Sequence, residues 1–193
     1  SATNMSKTSA TVYTFTYTVP SGDGTGTVSL SNGQDLSGNS ITSSPSSGAS
    51  FTVDNTSPTL SSVSIASNNS TNTLAKANDV VTLTFTASET IGTPTVTFLS
   101  GGDSIQDSSI TYNNTSGNTW TAAYTVHSSD TDGSVTYSIA FSDSAGNNGN
   151  AVTSGSGSVT VDTTLPTLSS VSIASDNSTN TLAKANDVVT LTF

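Results

Sequence analysis

A text of 33 residues, VDNTSPTLSSVSIASNNSTNTLAKANDVVTLTF at 53–85, returns 108 positions later as VDTTLPTLSSVSIASDNSTNTLAKANDVVTLTF at 161–193. The two copies differ only at Asn55/Thr163, Ser57/Leu165 and Asn68/Asp176. A period this long marks a tandem array of whole domains, not short solenoid turns. The chain therefore divides into three parts. Residues 1–54 are the C-terminal part of one unit, residues 55–162 a complete unit, and residues 163–193 the N-terminal part of the next. Read this way, it is a window onto a longer protein. A unit of this size is large enough to bury its own core.

Within the unit, apolar residues alternate with Thr and Ser at the period of a half-buried strand. Val81, Leu83, Phe85 and Ala87 share one face, and Thr82, Thr84 and Thr86 the other. The same alternation places Trp120, Ala122, Tyr124 and Val126 inside, then Val135, Tyr137, Ile139 and Phe141. Seven strands are expected: A (Leu60–Ala66), B (Val80–Ala87), C (Thr95–Leu99), D (Ser109–Tyr112), E (Thr119–Val126), F (Ser134–Ser142) and G (Ser158–Val161). Seven short strands in roughly 100 residues is the size of an all-β, immunoglobulin-like antiparallel β-sandwich. In the first copy Tyr13, Phe15, Tyr17 and Val19, then Val28, Leu30, Phe51 and Val53, repeat the inward pattern.

The linker VDTTLPTLSSVSI, the stretch AKANDVVTLTFTASE, the pair NTW and YTV, and the loop FSDSAGN resemble the bacterial Ig-like repeats of giant secreted surface adhesins. The resemblance implies an extended extracellular stalk, with calcium bound at the junctions between repeats.

The positions of the acids lead to the same cation. The complete unit carries Asp79, Glu89, Asp103, Asp107, Asp130, Asp132, Asp143 and Asp162, all expected outside strand interiors. If strands run alternately up and down, the B–C loop with Glu89 and the F–G loop with Asp143 and Asn147 share one pole. The linker with Asp54 enters at that same pole. Three carboxylates at one junction repel each other unless a cation neutralises them. Calcium takes six to eight oxygen ligands and accepts carboxylates, Asn carbonyls and backbone oxygens. Asp54, Glu89, Asp143 and Asn147 are thus a candidate calcium set, and Asp162 starts the next one. Asp35 and Asn39 match Asp143 and Asn147 in the first copy, whereas Asp132 falls opposite Thr25. On that alignment the DTDG turn is dispensable in some units. The competing account is that loop aspartates only organise turns.

Composition narrows the function. The chain has three lysines, no arginine and thirteen acids, for a net charge of −10. It cannot neutralise phosphates, which excludes nucleic acid as a natural partner. The same sign opposes anionic membrane surfaces. No apolar run is long enough to span a membrane. With no cysteine there is no disulfide or thiolate site. The one histidine, His127, has too few companions for zinc. Its counterpart in the first copy is Pro20, which argues against a catalytic role. Trp120 reads as core, with Tyr13 as its counterpart. The expected function is non-enzymatic: a structural repeat of a large extracellular surface protein, in a calcium-stiffened stalk for adhesion. Its partners are neighbouring repeats of the same chain. The alternatives are a self-assembling filament or surface-layer subunit contacting sister chains, and an accessory module of a secreted polysaccharide-active enzyme.

Overall fold

The structure, a computed structural model, describes residues 5–41, 45 and 47–193; residues 1–4, 42–44 and 46 of the first segment lie outside the described residues. The described residues contain no helix. The strands are β1 (Ser6–Lys7), β2 (Tyr13–Thr14), β3 (Gly24–Thr27), β4 (Ser50–Val53), β5 (Leu60–Ser67), β6 (Leu74–Ala75), β7 (Val80–Ala87) and β8 (Thr95–Ser100). They continue as β9 (Asp103–Ser104), β10 (Thr111–Ser116), β11 (Thr119–Thr125), β12 (Gly133–Ala140), β13 (Thr160–Val161), β14 (Ser172–Ser175) and β15 (Val189–Thr192).

Residues 60–161 form two sheets. One has the order β10-β11-β7-β5 and the other β6-β13-β12-β8-β9. Period-2 alternation turns Val81, Leu83 and Phe85 of β7 and Ala122 and Tyr124 of β11 toward Val96 and Phe98 of β8 and Tyr137 and Ile139 of β12. These residues make one continuous core, so the two sheets form a sandwich. The Phe98 and Tyr124 rings meet across it at 4.9 Å between centroids. Near one edge the Tyr112 hydroxyl accepts the Val96 N–H at 3.0 Å, tying β10 to β8.

The segment before β13 also closes on β5. Ser156 donates its N–H to Val63 O, and Ile65 donates to Ser156 O, at 2.8 and 3.0 Å. Such close approach requires glycine at both flanks. A Cβ on Gly155 would lie 2.4 Å from Val63 O, and one on Gly157 2.3 Å from Ile65 O.

Several boundaries differ from expectation. Strand D begins later and runs further, as β10. The Asp107 carboxylate holds the Ser109 N–H at 2.8 Å and keeps that stretch in a turn. Strand F ends at Ala140 because Phe141 O accepts the Gly149 N–H, which starts a loop. The short edge strands β6 and β9 are additional, and Asp103 lies inside β9, contrary to the expectation that acids avoid strands. Trp120 is only partly buried; it packs against the core beside the Gly117–Asn118 hairpin turn.

The end segments repeat the pairing of the central unit. Ser6↔Thr14 and Lys7↔Tyr13 of β1–β2 echo Asn113↔Thr121 and Asn114↔Trp120 of β10–β11. Ile173↔Leu191 of β14–β15 echoes Ile65↔Leu83. Their apolar faces differ from expectation, since Tyr13, Phe15, Tyr17, Val19, Val28 and Phe51 are exposed. No opposing sheet among the described residues covers these hairpins. The contrast is sharpest at the last residue: Phe193 is 75% exposed, whereas its copy Phe85 is at 0%.

Candidate metal centre

The centre is built on the Asp-x-x-Gly-Asn loop after β12. Asp143 Oδ1 accepts the N–H groups of Ala145, Gly146 and Asn147 at 2.7–2.9 Å. Its Oδ2 accepts Asn147 Nδ2 at 2.7 Å. Gly146 supplies the positive φ of 96° that the tight loop needs. The first copy builds a similar loop on Asp35: Asn39 donates its N–H to Oδ1 at 2.8 Å and its Nδ2 to Oδ2 at 2.7 Å. Gly38 takes the place of Gly146, with φ 88°. Turn organisation is therefore a role these two aspartates do perform.

Glu89 is carried to this loop by the segment after β7. Gly92 donates its N–H to Ser142 O at 3.0 Å, and Ile91 bridges Asp143. Asp54 is fixed from the other side. Asn147 Nδ2 donates to Asp54 O at 3.0 Å, joining the loop to the linker backbone. The linker is further tied by Thr59 N–H to Ser88 Oγ and Ser88 N–H to Thr59 O. One carboxylate oxygen each from Asp54, Glu89 and Asp143 then lies within 4.8 Å of the others. Asp143 is 7% exposed, and Asp54 and Glu89 are half-buried. An open groove beside them is lined by Asp23, Thr25, Asp54, Thr56, Ser88 and Glu89.

The electrostatics follow from this crowding. Burial, and then the charges of Asp54, Asp143 and Asp23, push the Glu89 carboxyl above its ordinary range. Burial also acts to raise Asp143, but hydrogen bonds from Asn147, Gly146 and Ala145 outweigh it and hold the group low. Glu89 thus lacks the donors that stabilise its neighbours' charge. Three carboxylates at this spacing have the hard oxygen chemistry that calcium takes. Asn147 turns its donor nitrogen toward the acids, so in this rotamer it bridges them; an amide flip would offer its oxygen instead.

Asp162 is exposed and belongs to no such cluster among the described residues. Its N–H donates to Ala75 O and its Oδ1 accepts the Thr164 N–H at 3.0 Å. His127 makes a local turn contact, Nδ1 to Ser129 Oγ at 2.7 Å. Asp130, buried beside it, spends its oxygens on the Gln106 and His127 N–H groups.

The structure corrects one alignment. Asp132 corresponds to Asp23 and not to Thr25. Gly133 pairs with Val161 as Gly24 pairs with Val53, so each Asp-Gly pair opens the strand beside the one leading to a linker. The alignment that sets Asp132 opposite Thr25 misses this by two residues. The shared Asp-Gly dipeptide is the signal that could have found it.

In comparisons with known proteins, no family model, no curated protein and no solved structure matches the chain.

Proposed function

We propose that this chain is a stretch of immunoglobulin-like tandem repeats, a non-enzymatic structural part of a large extracellular surface protein, working as a calcium-stiffened stalk for adhesion. The observation that carries the reading is the placement of Asp54, Glu89 and Asp143. They come from the linker and two loops of the unit that follows it, and they meet within 4.8 Å where the linker enters. A cation there neutralises mutual repulsion and cross-links linker to sandwich. Strands of about eight residues at ~3.3 Å per residue, plus loops, give on the order of 40 Å of reach per unit. Calcium sites in extracellular modules are often weak, with Kd of ~10⁻⁴–10⁻³ M.

The test is to melt the chain with calcium and with excess chelator, and to follow its maximum dimension by small-angle scattering. Free calcium at about 100 Kd raises the unfolding midpoint by about 10 °C and extends the chain. Asp143→Ala abolishes both responses. No response to calcium in either quantity refutes the calcium part of the reading.

A further inference from the structure

Both linkers are gripped by a carboxylate from the unit they leave. At the first, Asp23 Oδ1 accepts the Asn55 N–H at 2.6 Å, and Asp23 Oδ2 accepts the Thr56 hydroxyl. Gly22 O accepts Asn55 Nδ2 at 2.7 Å. At the second, Asp132 Oδ1 accepts the Thr163 N–H at 2.7 Å and its hydroxyl at 2.9 Å. Asp132 Oδ2 accepts the Thr164 hydroxyl at 2.6 Å. The same linker then turns on its own aspartate: Thr56 N–H donates to Asp54 Oδ1 and Thr164 N–H to Asp162 Oδ1.

The arrangement follows from sheet register. Because Gly24 faces Val53 and Gly133 faces Val161, the preceding aspartate lies beside the point where the chain leaves the sheet. It reaches the second and third residues beyond that valine. Position 55/163 is one of only three that differ between the copies, Asn in one and Thr in the other. The grip tolerates the change because a backbone N–H makes the shared bond. The hydroxyl that both grips use, Thr56 or Thr164, does not differ. Hydrogen bonds to an ionised acceptor are about twice as strong as neutral ones. Both carboxyls are held below their ordinary range, Asp23 by the Thr56 hydroxyl and the Asn55 N–H, and Asp132 by the Thr164 hydroxyl and the Thr163 N–H and hydroxyl.

We propose that Asp23 and Asp132 are positioning residues that lock each linker to the unit before it, fixing the direction in which the next unit leaves without any cation. This does not rest on the calcium reading. Neither Asp23 nor Asp132 is one of the three clustered acids, and Asp143 takes part in neither grip. The junction then has two fasteners made of different residues: the hydrogen-bonded grip on the side of the unit before, and the acid cluster on the side of the unit after.

The test uses the full chain in excess chelator, with backbone relaxation and amide exchange read at Asn55, Thr56, Thr163 and Thr164. In the unaltered chain all four amides have order parameters near ~0.85, as in rigid backbone. Asp132→Ala drops Thr163 and Thr164 below ~0.6 and speeds exchange of the Thr163 N–H at least tenfold, on the order of one lost hydrogen bond. Asn55 and Thr56 stay unchanged. Asp23→Ala does the reverse. Thr164→Val, which keeps the shape and loses only the hydroxyl, gives a smaller loosening at the same two amides and guards against a misfolded Asp132→Ala. Asp143→Ala in the same buffer leaves Thr163 and Thr164 rigid, whatever it does to calcium binding. Mobile linker amides in the unaltered chain, or unchanged Thr163 and Thr164 in both Asp132→Ala and Thr164→Val, overturns the proposal.

Discussion

Leu83→Ala and Leu191→Ala are one substitution made twice in nearly identical text. Leu83 is 0% exposed in β7, between Ile65 of β5 and Ala122 of β11. Leu191 is 56% exposed in a lone two-stranded pair. Emptying a buried leucine site costs about 2–5 kcal/mol, for lost transfer energy and the cavity left behind. A change at a site already in water falls within about 0.5 kcal/mol. At ~2.1 cal/mol/K per residue, a unit of about 108 residues unfolds with an entropy of about 0.23 kcal/mol/K. A loss of about 3 kcal/mol therefore lowers the midpoint by about 13 °C, against about 2 °C or less for Leu191→Ala. The single tryptophan makes the assay selective. Trp120 pairs with Phe85 across β11 and β7, so its fluorescence follows the central unit. Equal losses for the two variants refute the reasoning, since Leu191 would then support the central unit as much as Leu83 does.

The site and the core carry four further predictions. The Glu89 carboxyl is raised above its ordinary value of 4.5 by burial and by three acids, so its ionised form is disfavoured in the fold. In chelator, stability from this group is present below about pH 4.5 and is lost as the pH rises through the raised value; thermal melts show that slope, and Glu89→Gln removes it along with the response to calcium. Asp79 and Asp107 titrate the opposite way, held low by hydrogen bonds chiefly from Asn69 and from the Thr125 N–H respectively. Their contribution disappears as the pH falls through their depressed values, steepening acid unfolding below about pH 4. Gly157→Ala puts a methyl 2.3 Å from Ile65 O at a φ of +76° and should destabilise the central unit by at least ~2 kcal/mol, read by urea denaturation. Tyr124→Phe should be neutral or stabilise by up to ~1 kcal/mol, because the buried hydroxyl has no hydrogen-bond partner among the described residues; a loss above ~1 kcal/mol would reveal one.

Alternation makes much of the sandwich legible in the residues themselves. Leu83 and Phe85, or Tyr137 and Ile139, can bury on one face only if the chain is extended, and Thr84 or Ser138 between them takes the wetter face. Short edges are harder. Two residues at Leu74–Ala75 carry no period, and their strand exists only because β13 lies beside it. The same holds at the ends. Tyr13 and Phe193 read as inward by pattern, yet inward has meaning only relative to a second sheet. At the junction, alternating poles indicate which loops meet, and Asp54, Glu89 and Asp143 do lie together. They do not indicate Asp23, because that contact follows from the pairing of Gly24 with Val53, which setting Asp132 opposite Thr25 conceals. Nor do they orient the Asn147 amide, which two simultaneous hydrogen bonds from Nδ2 set.

The parallel contacts that close the central unit bear on how it meets force. Ser156 runs parallel to Ser64 of β5, and β13 runs parallel to β6. The bonds joining them are Ser156 N–H to Val63 O, Ile65 N–H to Ser156 O, Thr160 N–H to Thr73 O and Asp162 N–H to Ala75 O. The chain enters the unit at the start of β5 and leaves it at the end of β13. Tension between those points drags the two segments past each other along their length. The bonds are then loaded side by side in shear, not peeled open one after another.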